Sequence, residues 1–165
     1  MKYFLFYAVT LLGGLWLQVI QNHFLGGSLF SVQFLVIASI YWGLTHGPLA
    51  GSLLGFSWDL LSDAASLGFL GERALLFAAV GFASGFLRRQ LDDTKPWTQA
   101  LFALIASLGV VLGELFIEHF FAGAGQRPVS MAVWLQPVWN ALAAPLLFLA
   151  LNAWDLLWDS RARGF

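Results

Sequence analysis

The chain has 165 residues, 59% of them aliphatic or aromatic and only 10% charged, with a formal net charge of −1 and no cysteine. A soluble domain is about 45–50% apolar even counting glycine and about 25% charged, and one this small cannot bury such an excess, so the composition excludes an ordinary water-soluble core. The near-neutral charge excludes a basic field for nucleic acid, and the lack of cysteine excludes disulfides, thiolate metal sites and a cysteine nucleophile.

A transmembrane helix needs about 20 mostly apolar residues, and the sequence predicts about six. Tyr3–Gln21 is the first. It is read as an uncleaved span, because its apolar run exceeds a signal-peptide core and Gln21-Asn22-His23 follows where a small-residue cleavage site would stand. Leu29–Leu44 and Pro48–Leu61 are the second and third, both short and separated only by Thr45-His46-Gly47, so one of them could be re-entrant. Leu67–Leu87, Trp97–Phe121 and Met131–Trp158 complete the set, the last carrying Pro137 and Pro145 as expected kinks. The expected fold is all-α, a single polytopic membrane domain over residues 1–165.

Six spans put Lys2, Arg88, Arg89, Lys95, Arg161 and Arg163 on one side and only Arg73 and Arg127 on the other. Positive residues mark the cytoplasmic loops, so both termini are expected in the cytoplasm. Trp42, Trp97, Trp154 and Trp158 then fall near the inner interface, and Trp58 and Trp134 near the outer one, as aromatic belts.

Two features stand out within the spans. Gly47, Gly51 and Gly55 form overlapping G-x-x-x-G units on one helical face, with Gly81 and Gly85 on the fourth span and Gly109 and Gly113 on the fifth. Such a stripe lets another backbone approach closely, either within the protein or from a partner helix. The second feature is charge. Asp59, Asp63, Glu114 and Glu118 all lie in the outer half, near Glu72, His23 and His119, with Arg73 or Arg127 as counter-charges. Charged groups at membrane depth are functional candidates by default, although Asp63 and Glu118 would also suit a solvated headgroup position. Ser107 shares the Glu114–Glu118 stripe. Gln136, Asn140 and Asn152 are expected to bond between helices. Asp155, Asp159 and Arg163 read as a solvated helix end. Motifs of serine hydrolases, P-loop proteins, dinucleotide-binding proteins and metalloproteases are absent from the sequence. Glu118 and His119 point about 100° apart on a helix, so only one could join Glu114 on a metal, and no metal or cofactor is expected.

The stretch Tyr41–Leu87 has an aromatic span end and a polar turn with Gly47-Pro48. A glycine-spaced helix follows through Gly51 and Gly55, then Asp59, Leu60, Leu61, Ser62, and Gly68 before the next helix. This resembles the rod shape-determining protein MreD family, as do the length and the near-absence of soluble loops. Trp58 stands where that family usually has leucine, His46 where arginine is common, and Gln33 opens the second span. The resemblance implies a non-catalytic member of the bacterial cell-elongation machinery in the inner membrane. Its partners would be the bitopic protein MreC and, in the same complex, the peptidoglycan polymerase RodA and its class B penicillin-binding protein, guided by MreB filaments. It also implies a helical arrangement like the six-helix substrate-binding subunits of energy-coupling-factor transporters, whose small-molecule binding is the alternative function.

Overall fold

The computed structural model describes residues 2–25, 31–64, 71–90, 95–121 and 131–162. They form six α-helices: α1 Lys2–Leu25, α2 Phe34–His46, α3 Pro48–Ala64, α4 Glu72–Leu87, α5 Pro96–Phe121 and α6 Met131–Ala162. No strand occurs among the described residues.

The short α2 is the hub. It touches all five other helices, and every residue from Leu35 to Leu44 is buried. A helix apolar all round is one surrounded by protein or lipid, and here the surroundings are protein. α2 and α3 form two distinct helices joined by the single residue Gly47, with φ +103°. That backbone conformation suits glycine alone, and Pro48 opens α3 at the first helical position, where its missing N–H is no loss. Gly47 N still donates to Gly43 O at 3.0 Å, and Gly51 N to Gly47 O at 3.1 Å, so the turn residue's own amide and carbonyl are both bonded. The Arg88 guanidinium from the end of α4 lies beside this turn, where a cation complements the exposed carbonyls ending α2.

A second fixed point joins α2 to α6. Asn140 Oδ1 accepts from the Gln33 backbone N–H at 2.7 Å, and Asn140 Nδ2 donates to Ser107 Oγ at 2.8 Å on α5. Asn140 and Ser107 are completely buried. Gln33 makes no side-chain cap for its own helix; Asn140 fills that role from another helix, satisfying one of the donors every helix start leaves open. Two turns on, Tyr41 meets Phe148 edge-to-face at 5.4 Å between ring centroids. The two pairs share one offset along the chain, so α2 and α6 run parallel. Gln136 adds a bond to Ser31 Oγ at 3.2 Å, whereas Asn152 is exposed. On the other flank, the Tyr7 hydroxyl of α1 reaches Ser57 Oγ at 2.8 Å and Leu53 O at 3.0 Å on α3.

Of the six expected spans, α5 and α6 are long and apolar enough to cross a membrane by themselves, and only 22% of the most apolar window of each is buried. α2, α3 and α4 have 13, 17 and 16 residues, which at 1.5 Å per residue fall short of a hydrocarbon core of about 30 Å. α1 is long, but Thr10, Gln18, Gln21, Asn22 and His23 interrupt its apolar run. α6 continues through Pro137 and Pro145 as one helix.

Large apolar side chains cover the outside. Trp16, Phe24, Leu49, Phe86, Phe116 and Leu146 are each more than 60% exposed, and such residues occur on every helix except α2. Two of the expected belt tryptophans are not part of this surface. Trp58 is 1% exposed and Trp42 is 3% exposed. The Trp58 ring lies where a Cβ on Gly14 would be, so a glycine on α1 makes the room that takes it inside. Trp42 stacks on His46 at 4.4 Å and packs on Phe6 at 5.0 Å. Trp97, Trp134 and Trp154 are exposed, as a belt position requires.

Candidate functional site

The glycine stripes meet each other. A Cβ on Gly51 would stand 2.6 Å from Gly81 O and 2.7 Å from Gly43 Cα; one on Gly55 would stand 2.6 Å from Phe77 C. A Cβ on Gly81 would collide with the Gly51 backbone, and one on Gly85 with that of Pro48 and Gly47. Gly47, Gly51, Gly55, Gly81 and Gly85 therefore line a backbone-to-backbone contact between α3 and α4. Of the two uses open to the stripe, the structure takes the internal one, and that face is closed to a partner helix. Gly43 on α2 completes the junction, because its own Cβ would strike Ser84 Oγ and Gly81 O. Ser84 is buried and returns its hydroxyl proton to Gly81 O at 2.8 Å, so it adds no unmet polar group. Gly113 faces the Leu76 side chain, and a Cβ on Gly109 would meet nothing within 4 Å.

The same register reaches the charged residues. Gly47–Gly85, Gly51–Gly81 and Gly55–Phe77 step one turn at a time along two antiparallel helices, so the next step puts Asp59 level with Arg73. Arg73 Nε lies 3.0 Å from Glu114 Oε1 on α5. The arginine is half exposed and the glutamate mostly covered, with side-chain exposures of 54% and 14%. Asp59 is 2% exposed and partnered. Of the expected polar cluster the described residues show one pair, Arg73 with Glu114 on α5 as its counter-charge, and Asp59 stands level with it on α3. Glu118, one turn further on α5, is half-buried, and His23 and His119 are exposed. The side chains of Asp63 and Glu72, and Arg127 altogether, lie outside the described residues. Ser107 does not join the cluster; it is taken by Asn140.

This arrangement holds three helices at one end of the bundle. Arg73 ties α4 to α5 by charge, and the buried Asp59 sits where α3 meets the start of α4. Among the described residues no three His, Asp or Glu side chains gather as a metal site. Thr45 Oγ1 donates to Tyr41 O at 2.7 Å, so in its 2.7 Å contact with His46 Nδ1 the ring nitrogen is the donor. That hydroxyl is a helix-end satisfier rather than a base-activated nucleophile.

No family model matches the chain, and neither a curated protein nor a solved structure does.

Proposed function

We propose that this chain is a non-catalytic membrane scaffold of the MreD type. In this reading it crosses the bacterial inner membrane six times with both termini in the cytoplasm. It binds MreC and supports peptidoglycan synthesis by RodA and its class B penicillin-binding protein. The observation that carries the reading is that the residues of the resemblance from Gly47 to Asp59 form one continuous unit. Gly47-Pro48 makes the helix-to-helix turn, Gly51 and Gly55 seat α4, and Asp59 is buried at the far end.

The apolar exterior supports a lipid environment, since a monomer in water rarely exposes contiguous apolar patches beyond a few hundred Å². The short α2 is compatible with it, because a helix ringed by five others need not match the bilayer in length, and neighbouring mismatch is absorbed at modest cost. A scaffold needs a filled interior. Between α2, α4, α5 and α6 that interior is closed by Ile37, Tyr41, Phe77, Val110 and Phe148, all at most 2% exposed. Because the α3–α4 glycines are spent internally, the partner's docking surface lies elsewhere on the exposed faces.

The test is affinity purification of the tagged full chain from native membranes in mild detergent, with mass spectrometry of what co-elutes. MreC should be recovered in near-stoichiometric amount. Recovery of a transporter's energising subunits in its place would favour the alternative, a small-molecule-binding membrane subunit of the energy-coupling-factor type.

A further inference from the structure

α1 packs on α2 and α3, and its second half is mostly exposed. The first half is held by an aromatic nest at the end of α2. Phe6 is buried, with its ring centroid 5.0 Å from that of Trp42 and 6.1 Å from that of His46. Tyr7 stands edge-on to Trp42 at 5.6 Å. The half-buried His46 ring lies nearly flat on Trp42, 4.4 Å away with 24° between the planes. Four rings from two helices share this contact, and His46 is the one among them that takes a charge near neutral pH.

His46 Nδ1 already donates to Thr45 Oγ1 at 2.7 Å, so an added proton goes to Nε2. A charged ring suits the nest poorly, because burial disfavours the charged form. Burial lowers the pKa of His46, and Asp155 on α6 pulls the other way. Asp155 follows Asn140, Ala144, Phe148 and Leu151 at steps of three and four, on the face that α6 turns to α2. Two helices therefore compete for one ring, α1 through Phe6 for the neutral form and α6 through Asp155 for the charged form. Among the side chains described at this end of the bundle, the other charged ones are Arg88 and Arg89 after α4 and Lys95 before α5, all exposed. Their positive charge opposes a histidine cation in the nest. The Tyr7 hydroxyl is engaged on α3, and α3 carries no ionisable group before Asp59 at its opposite end.

We propose that His46 is a proton-operated fastener of α1. Neutral, it completes the nest that grips Phe6. Charged, the ring turns from Phe6 toward Asp155 and water, and the first half of α1 loosens while the glycine junction of α3 and α4 stays shut.

The test is amide hydrogen exchange of the full chain in mild detergent, read by peptide mass spectrometry at pH about 7.5 and about 5 and corrected for the intrinsic rate at each pH. Exchange reports opening segment by segment. Protection of residues 4–14 should fall several-fold at the lower pH, whereas residues 48–58 and 76–86 should keep theirs. His46→Phe leaves a ring on Trp42 without a titrating nitrogen, so α1 should stay protected at both pH values. Asp155→Asn removes the counter-charge and should move the midpoint of the change to lower pH. Unchanged protection of α1 in the parent chain would overturn the proposal, as would a pH response that survives His46→Phe. Equal loss in α1 and in the glycine junction would also overturn it, since acid would then be unfolding the whole bundle. If His46→Phe fails to accumulate, the Asp155→Asn midpoint decides, and an unmoved midpoint overturns the competition between α1 and α6.

Discussion

Gly51→Ala adds one carbon where three helices meet backbone to backbone. The new Cβ would lie 2.6 Å from Gly81 O, 2.7 Å from Gly43 Cα and 2.8 Å from Gly43 N, against an ordinary contact of at least 3.4 Å. The obstructing atoms are backbone on two different helices, so α2 and α4 must both retreat from α3, by about 0.8 Å on the α4 side. A gap of 0.5–1 Å already forfeits a quarter to a half of each dispersion contact, and overpacking of this kind costs about 1–3 kcal/mol. Removing glycine from a helix interior returns about 0.5–1 kcal/mol. The expected net loss is about 1–2 kcal/mol, read as a lower thermal midpoint of the purified protein in mild detergent. Gly109→Ala is the matched control. It meets nothing within 4 Å, so it keeps only the helix gain, and its midpoint should hold or rise. Gly51→Leu should fail to accumulate, because the junction cannot open far enough for it. Equal midpoints for Gly51→Ala and Gly109→Ala, or normal accumulation of Gly51→Leu with loss of a partner alone, would refute internal packing of the stripe.

Asn140→Leu strands the Gln33 N–H and removes the donor to Ser107, at about 1–3 kcal/mol for a buried unsatisfied group and nearer 0.6 if the lipid-phase average holds; a double-mutant cycle with Ser107→Ala should show non-additive midpoints. Asp59→Asn should be milder than Asp59→Leu, which leaves any donor facing it unpaired at about 1–3 kcal/mol, and wild-type stability and partner recovery for Asp59→Leu would remove this residue from the account. His46 is the last residue of α2, beyond the expected span Leu29–Leu44, and burial lowers its pKa from the ordinary 6.5 against a smaller upward pull from Asp155. The unfolded chain then takes up the proton more readily than the folded one, so stability should be constant above pH 6.5 and decline as pH falls through that value toward the lowered one; His46→Gln should flatten the decline in detergent melts.

Glycines four apart were legible in the sequence as a surface for close backbone approach, but spacing carries no direction, and the same stripe suits an internal or an external partner. Only the position of Gly81 and Gly85 opposite Gly51 and Gly47 decides it. Gly43 was overlooked, although it extends the same four-residue spacing backwards across the turn. The tryptophan belt failed at Trp42 and Trp58 for a related reason. Their positions near span ends were visible, whereas the cavity that admits Trp58 is made by Gly14 on a helix more than forty residues away. The polar residues of the sixth span were expected to bond between helices; Asn140 does so, to Ser107 on α5, whereas Gln136 reaches Ser31 in the segment before α2. That Asn140 would cap the start of α2 depends on the α2–α6 register, which no local pattern encodes. The pairing of Arg73 with Glu114 follows from helix order in the bundle, since α4 separates α3 from α5 at that level.

Reporter fusions after Gly125, within the 88–96 loop and after Phe165 test six crossings with both termini inside most directly. The account predicts a periplasmic signal at Gly125 and cytoplasmic signals in the 88–96 loop and at Phe165; a periplasmic signal at Phe165, or a cytoplasmic one at Gly125, would contradict it.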